Sequence, residues 1–429
     1  MAEASDLQRP SPEKQAILDL AARYVCPGRV NAFKLLGTQP VMGEREGHYF
    51  CDLDGRQLFD VHINGGTFSL GHRNPEIVAA LREAVDFYDV GNHHFVSEPR
   101  ARLAETLARL TPGDLHYTVF AASGSEASDI AIKTARRATG RRKILSIVGS
   151  YLGHTGLCLA AGDVKNARYF LSDGPEAEFA QVPFNDLDAM RRALSRRDVA
   201  AVILETIPAT LGFPMPEAGY LAGVKSLCEE FDSLYVADEV QTGLGRTGRM
   251  WAVDGYGVEP DILVTGKGLS GGMYPISAAV LSARVSDWLS ENGWGHISTF
   301  GGSEIGCHVA LKVMEILERP GVLENVGAMS EVLGEGLHEL QRRYPFLVDV
   351  RRNGLVMGLK FDHKLGGPMM TVACYEAGIW AFFAGFDQSV LQFKPGILID
   401  RRDCDELLSR LEEAIRICVA RNGPASRGT

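Results

Sequence analysis

Residues 199–240, VAAVILETIPATLGFPMPEAGYLAGVKSLCEEFDSLYVADEV, decide the fold class that the sequence predicts. Two almost continuously apolar runs, 199–207 and 234–240, are separated by a segment with helical periodicity at 217–231. Strands that are apolar on both faces are typical of a parallel sheet covered by helices on both sides. The stretch therefore predicts a strand–helix–strand unit of an α/β domain.

Shorter apolar runs repeat this pattern along the chain. They cover residues 117–120, 143–148, 261–266 and 276–283. Their alternation with helical segments predicts an α/β fold in which a mainly parallel sheet is flanked by helices. Residues 47–61 read as a hairpin that turns at Asp54-Gly55, and the tail has helical periodicity, so we expect a smaller α+β domain from both chain ends. The predicted parts are an N-terminal segment (1–74), a large domain (75–300) and a C-terminal small domain (301–429).

The composition argues against several classes of partner. The chain has 429 residues, of which 45% are apolar and 23% charged, and its formal net charge is −10. Nucleic-acid binding needs clustered Lys and Arg, so we expect no nucleic-acid partner. No apolar run is long enough for a membrane span, residues 1–15 lack an export signal, and the eight cysteines are scattered. We therefore expect a cytoplasmic protein without a membrane partner. The eleven histidines show no ligand spacing, so we expect no metal site.

Ser123, Gly124 and Ser125 follow the run at 117–120 and lie at the start of a predicted helix. Ser123 and Glu126 have the spacing of a capping box. Free N–H groups and hydroxyls at a helix N-terminus can bind a phosphate, so this turn is a candidate phosphate cradle. A well-capped helix without a ligand is the alternative.

Asp238 and Val240 lie at the end of the run 234–240. Because side chains alternate along a strand, these two share one face and Glu239 takes the other. A carboxylate beside a branched apolar side chain suits an aromatic cation, with the acid at a ring nitrogen and the methyl groups against the ring. A strand-end acid that caps a helix or carries surface charge is the alternative.

Two glycine-rich runs are similar to nucleotide-binding motifs but fail in detail. GLGRTG at 243–248 has G-x-G-x-x-G spacing, yet glycines and a proline follow where a dinucleotide-binding fold needs a helix. TGKG at 265–268 is not a Walker loop, because Asp261 stands where the motif has glycine and no Ser or Thr follows Lys267. The sequence therefore predicts neither a nicotinamide site nor a P-loop.

Lys267 stands between two glycines in DILVTGKGLSGG, residues 261–272. A lysine desolvated at a strand end is disfavoured as a cation, so its pKa falls and its amine becomes nucleophilic. Flanking glycines let a flat ligand approach the backbone closely. An exposed loop lysine is the alternative if Lys267 is taken alone. Amine, ring acid and phosphate cradle together indicate pyridoxal 5′-phosphate (PLP), which bonds an enzyme lysine as a Schiff base.

The motifs around these residues resemble those of the class III aminotransferases, which are PLP enzymes of fold type I, over nearly the whole chain. The matching runs include SGSEASDIAIKTAR, ADEVQTGLGRTGRMWA, PDILVTGKGLSGGMYPISA and STFGG. The resemblance implies that Lys267 forms the Schiff base and moves the proton, and that Asp238 pairs with the pyridinium nitrogen. It also implies that Val240 packs on the ring, that Tyr151 stacks on it, and that Gln241 lies near the ring 3′-oxygen.

The same resemblance assigns the rest of the cofactor site. Gly124 and Ser125, with Ser123, hold the phosphate. Glu205 matches a strand-end glutamate that lies near the substrate or a gating arginine. Thr299, in STFGG, resembles a residue that reaches the phosphate from a neighbouring subunit. That resemblance implies a homodimer with a shared active site.

The most telling departure from the family pattern is Gln392, where many members that bind an α-carboxylate have arginine. Glutamine cannot make the bidentate fork that suits a carboxylate, and Lys394 nearby offers a point charge. Either another cation binds the carboxylate or the substrate differs. His62, His93 and His94 are further candidates for substrate binding, with purely structural roles as the alternative.

The resemblance implies amino-group transfer between an amine or amino acid and a keto or aldehyde acceptor. Epimerisation, aminomutase chemistry and decarboxylation on the same scaffold are alternatives, because all begin from the same Schiff base with the substrate and differ in the bond that breaks. A non-enzymatic scaffold or regulator is a third possibility. The presence of both Lys267 and Asp238 argues against it.

Overall fold

The computed structural model describes residues 9–422. Residues 1–8, the first part of the segment 1–15 that was considered for an export signal, lie outside the described residues. The strands, numbered in chain order, are β1 (Met42–Glu46), β2 (Tyr49–Asp52), β3 (Gln57–Asp60), β4 (Leu115–Ala121), β5 (Lys143–Ile147), β6 (Phe179–Val182), β7 (Val199–Glu205), β8 (Leu234–Asp238), β9 (Ile262–Thr265), β10 (Ser277–Ser282), β11 (Leu347–Asn353), β12 (Val356–Phe361), β13 (Ile379–Trp380), β14 (Phe382–Phe383) and β15 (Val390–Phe393).

The helices in the same range are α1 (Pro12–Tyr24), α2 (Pro27–Leu36), α3 (Ile63–Gly66), α4 (Pro75–Phe87), α5 (Glu98–Leu110), α6 (Gly124–Thr139), α7 (Gly156–Ala161), α8 (Val164–Tyr169), α9 (Leu187–Leu194), α10 (Tyr220–Glu230), α11 (Trp288–Glu291), α12 (Glu304–Leu317), α13 (Val322–Arg343), α14 (Gly366–Glu376) and α15 (Arg401–Asn422). None of these helices combines the length and the apolarity that crossing a bilayer requires.

Seven strands form the central sheet, in the order β4-β10-β9-β8-β7-β5-β6. Strands β5 to β9 pair in parallel, whereas β10 is antiparallel to both β9 and β4. The register places Glu205 beside Asp238 and Asp238 beside Val264, so the carboxyl ends of β7, β8 and β9 meet at one edge. The predicted α/β fold with a mainly parallel sheet is confirmed.

Apolar cores cover both faces of the central sheet. Along β8, Tyr235 and Ala237 are buried in one core, while Leu234 and Val236 are buried in the other. Helices α10 and α12 contribute to the first core, and α6 contributes to the second. Successive strand residues are buried on opposite faces of the sheet. This explains why the strands are continuous apolar runs in the sequence rather than alternating ones.

Two smaller four-stranded sheets complete the fold, β1-β2-β3-β13 and β11-β12-β15-β14. The first sheet contains the predicted hairpin, which turns at Gly55 in a left-handed conformation (φ 81°) that glycine adopts without steric cost. Its fourth strand comes from the far end of the sequence, since Ile379 pairs with Phe59. Segments from both chain ends therefore share one sheet. The boundaries at 74 and 300 stay a prediction.

The loop after β8 contains the GLGRTG run and opens no α-helix, in keeping with the rejected dinucleotide motif. Arg246 within this loop is buried, and its guanidinium donates hydrogen bonds to the carbonyl oxygens of Leu355 (2.6 Å) and Pro395 (2.7 Å). The motif thus ties the loop next to the central sheet to the C-terminal part of the chain.

Candidate active site

A cavity of about 160 Å³ lies at the carboxyl ends of β7 and β8, where ligands bind in open α/β sheets. The lining residues are Gly124, Ser125, Tyr151, Leu152, Gly153, Glu205, Ile207, Asp238, Val240, Gln241, Thr242 and Lys267. Eight of the ten residues predicted for the cofactor site are in that set. Ser123 and Thr299 are not.

Lys267 begins a 3₁₀ turn, Lys267–Ser270, directly after β9. Its backbone is left-handed (φ 42°), which is uncommon for a residue with a side chain and is typical of functional sites. Gly266 before it has no room for a side chain, because a Cβ there would stand 2.5 Å from Oγ of Ser277. Burial lowers the pKa of the Lys267 amine, while Asp238 and Glu205 act in the opposite direction. The turn thus presents an amine with nucleophilic character to the cavity.

Asp238 and Glu205 lie side by side at the ends of adjacent strands. The Asp238 carboxylate accepts a hydrogen bond from the backbone N–H of Val240 (3.0 Å), and burial raises its pKa to about 6. Glu205 accepts hydrogen bonds from the N–H groups of Tyr151 (2.9 Å) and Ala209 (3.1 Å). Burial and the nearby Asp238 raise the pKa of Glu205 to about 8. A cationic ligand group would stabilise the ionised form of Asp238.

Glu239 takes the opposite side of the strand end, as the alternation predicts. Its carboxylate accepts hydrogen bonds from the hydroxyls of Thr206 and Thr242 and from the N–H groups of Ala252 and Val253. Burial raises the pKa of Glu239 to about 7. Of these four partners, only Thr242 lines the cavity. Glu239 therefore holds the loop after β8 in place.

The start of α6 forms the end of the cavity that was predicted to cradle a phosphate. The Ser123 hydroxyl accepts a hydrogen bond from the N–H of Glu126 (3.2 Å), so it serves as the helix cap. Gly124 packs so closely on the strand end that a Cβ there would stand 3.0 Å from Cγ1 of Val240. Ser125 lies beside Gly153 and accepts a hydrogen bond from a loop N–H.

Thr299 is exposed and its methyl group lies near Gly91, away from the residues that line this cavity. His93 and His94 are also outside the lining. The His93 ring contacts the carbonyl oxygen of Gly91 (2.9 Å), and the His94 ring packs against Trp294. These histidines therefore belong to the surface around Thr299 rather than to the cavity.

His62 and Gln392 are not among the residues that line the cavity. Nδ1 of His62 is buried without a hydrogen-bond partner, and burial together with the charges of Lys394 and Lys267 lowers the pKa of His62 well below its usual range. The Gln392 side chain accepts a hydrogen bond from Nζ of Lys394. At the position where the family pattern has arginine, this chain therefore has a glutamine that is bonded to a buried lysine.

Four lining residues were missed by sequence reasoning: Leu152, Gly153, Ile207 and Thr242. Each lies within two residues of a predicted site residue, at the same sheet edge. Their closeness in sequence to the predicted residues was the signal that could have identified them. Their side-chain directions depend on loop conformation, which periodicity does not predict.

The residues present fit PLP. An amine, a buried carboxylate and the Val240 methyl groups face one cavity, and a helix N-terminus that begins with glycine closes it. Gly124 packs against Val240, so no side chain stands between the start of the helix and the end of the strand. The donor set therefore matches the ring nitrogen, the aldehyde and the phosphate of this cofactor.

Comparison with known proteins agrees with this chemistry. The family model "Aminotransferase class-III" matches residues 37–415. The chain is 47% identical over 408 residues to an uncharacterized aminotransferase of Archaeoglobus fulgidus, covering 95% of this chain and 96% of that protein. It is 32% identical over 417 residues to the putrescine aminotransferase of Pectobacterium atrosepticum, covering 94% and 89%.

A solved transaminase from the marine bacterium Virgibacillus shares the fold, with a TM-score of 0.88 at 24% identity over 95% of this chain and 100% of that chain. Because the family model spans most of the sequence and both relatives match along most of their length, the chain belongs to the class III aminotransferases, enzymes that transfer amino groups with PLP.

Proposed function

We propose that Lys267 is the residue that bonds PLP and moves the proton at the substrate Cα during amino-group transfer. The observation that supports this assignment is the shared cavity: the Lys267 side chain, the Asp238 carboxylate and the start of α6 line one space of about 160 Å³. When bound, PLP supplies an electron-withdrawing ring that stabilises the negative charge left at Cα.

The neighbouring residues have distinct roles in this proposal. With PLP bound, Asp238 would stabilise a proton on the ring nitrogen, and Val240 and Tyr151 would pack against the ring. Gln241 would lie near the ring oxygen, and Gly124 and Ser125 would hold the phosphate with N–H and O–H groups. Ser123 contributes its backbone and caps the helix with its hydroxyl. Glu205 carries a raised pKa of about 8, so it can stay neutral beside the ionised Asp238.

Borohydride reduction followed by peptide mass spectrometry tests the role of Lys267. The reduced pyridoxyl group should be found on the peptide with Lys267, and Lys267→Ala should lack both the adduct and turnover. Lys360→Ala, a half-buried lysine on β12, is the matched control and should behave as wild type. An adduct on any other peptide would refute the assignment.

Single-turnover mixing with amines distinguishes transamination from other PLP reactions. Amino transfer leaves the cofactor as pyridoxamine phosphate when no acceptor is present. The pyridoxamine absorbance should therefore accumulate in one turnover. If substrate binds and reacts without that accumulation, an epimerase or decarboxylase activity replaces the proposed one.

A homodimer with a shared site is part of the proposal. Large apolar side chains are exposed around Thr299, on the neighbouring segments 87–96 and 294–300. They are Phe87, Val90, Phe95, Val96, Trp294, Ile297 and Phe300. An apolar surface of this kind is typical of a subunit interface, and it would bring Thr299 to the phosphate of the other subunit.

Light scattering after gel filtration should give twice the chain mass. Lys267→Ala and Thr299→Asp should each be nearly inactive, whereas a refolded mixture should regain activity, because one site of each mixed dimer has both native residues. A monomer, or a mixture without recovery, would contradict the shared site. A cytoplasmic location stays a prediction.

A further inference from the structure

Lys394 is a buried lysine without a carboxylate partner. It follows β15, its side chain is only 1% exposed, and its Nζ donates a hydrogen bond to Oε1 of Gln392 (2.5 Å). The same Nζ lies 5.5 Å from the ring centroid of Phe213. Within residues 9–422, no Asp or Glu lies within ion-pair distance of this amine. Burying a protonated amine that contacts only neutral groups is costly unless an anion binds to it.

The surroundings of Lys394 are rich in positive charge. Burial, together with the charges of Arg246 and Lys267, lowers the pKa of Lys394 well below its usual range. Asp60 opposes this effect, but its carboxylate already contacts the His72 ring (2.9 Å) and accepts hydrogen bonds from two backbone N–H groups. Asp60 is therefore already engaged by other groups and forms no ion pair with Lys394.

Packing contacts link the candidate PLP cavity to Lys394, which does not itself line it. Ile207 lines the cavity and packs in the same apolar cluster as Phe213, whose ring lies beside the Lys394 amine. On the other side, Gln392 pairs in register with Phe382, and the Phe382 ring packs against His62. The unpartnered Nδ1 of His62 is a further polar atom in this region without a protein partner.

We propose that Lys394, positioned by Gln392 and assisted by His62, binds the carboxylate of the amino acid and keto acid substrates. The proposal rests on the proposed function and names its substrate class: compounds with a carboxylate that reaches Lys394 while their amino or carbonyl carbon lies at Lys267. The carboxylate supplies the missing negative charge and favours the protonated amine. Amines without a carboxylate lack this interaction.

Binding of glutarate to the PLP-loaded enzyme, measured by calorimetry, tests the proposal without turnover. Lys394→Met should weaken glutarate binding roughly 10- to 100-fold, as expected for loss of a charge-assisted hydrogen bond. Lys360→Met is the matched control and should bind glutarate as wild type. In Lys394→Met the single-turnover rate should fall about tenfold more with amino acids than with benzylamine, which has no carboxylate. Unchanged glutarate binding, or an equal loss with benzylamine and with amino acids, would overturn the proposal.

A comparison in the wild-type enzyme covers the case in which Lys394→Met does not fold. Pyruvate and its neutral amide differ only in the carboxylate, so the pyridoxamine form should show a KM for pyruvate at least roughly tenfold lower. Equal KM values would refute the carboxylate site. If neither compound reacts and Lys267 gains no borohydride adduct, the proposed function fails instead, whereas equal KM values in an enzyme that does form the adduct refute only the carboxylate site.

Discussion

Gly65 lies directly against the side chain of Lys267. A Cβ on Gly65 would stand 3.1 Å from Cε of Lys267 and 3.3 Å from Oε1 of Gln241. Gly65 has φ 72°, and Ile63 and Asn64 before it are also left-handed, with φ 41° and 48°. Such conformations cost residues with side chains about 1–2 kcal/mol each, so the surrounding packing must enforce them. This backbone segment therefore limits where the Lys267 amine can lie.

Gly65→Ala should lower both stability and activity. Gly55→Ala is a matched control, since Gly55 also has a positive φ (81°) but has nothing within 4 Å of its Cβ position. Both variants should lose about 1 kcal/mol in the free energy of unfolding from backbone strain. Only Gly65→Ala should slow the amine half-reaction, by about tenfold or more, because displacement of Lys267 misplaces its amine. Denaturant unfolding and stopped-flow spectroscopy measure the two effects. Equal rates in the two variants would show that the contact is irrelevant.

Asp238→Asn should slow proton removal from the substrate by about 100-fold or more, because a neutral amide does not stabilise positive charge on a ring nitrogen. The measurement is the single-turnover rate with a saturating amine. Cofactor should still bond to Lys267, which borohydride trapping checks. A rate within a few-fold of wild type would remove Asp238 from the mechanism.

Glu239→Gln changes the adjacent acid and should instead affect folding. The glutamine amide would meet an N–H of Ala252 or Val253, so at least one buried hydrogen bond is lost. We expect a loss of about 1–3 kcal/mol in the free energy of unfolding. The single-turnover rate of the folded enzyme should stay within a few-fold of wild type. A large loss of rate with unchanged stability would contradict the structural role.

The stability of the apoprotein should depend on pH through Glu205. Its pKa rises on folding from an ordinary value of 4.5 to about 8, so between these values the folded protein holds a proton that the unfolded chain releases. This term therefore destabilises the folded state as pH increases through that window. Glu205→Gln lacks the term, so the stability of the variant relative to wild type should increase by about 3 kcal/mol between pH 3 and pH 7.

The difference between Glu205→Gln and wild type should stop changing with pH below about pH 3.5, where the carboxyl is neutral in both states. Comparing the two proteins at each pH cancels the contribution of titrating groups that do not interact with Glu205. Urea unfolding of the apoproteins at several pH values provides the measurement. A difference that stays constant with pH would show that burial does not raise the pKa of Glu205.

The sequence by itself determined the features that depend on neighbouring residues. Continuous apolar runs predicted β7 and β8, the Asp54-Gly55 pair predicted the hairpin turn, and Ser123 with Glu126 predicted the start of α6. Strand alternation placed Asp238 and Glu239 on opposite sides. Periodicity, caps and turns act within a few residues of chain, so they can be read before folding.

Only the tertiary structure decided what each polar group contacts. The hydroxyl of Ser123 is used by its own helix, and the glycine at position 65 contacts Lys267 from a distant part of the chain. Lys394 stands in an apolar run that could equally have left it exposed. It is buried, its amine lies beside the Phe213 ring, and Gln392 accepts its hydrogen bond. Such contacts join residues far apart in sequence, and local patterns do not specify which long-range neighbours fill the same space.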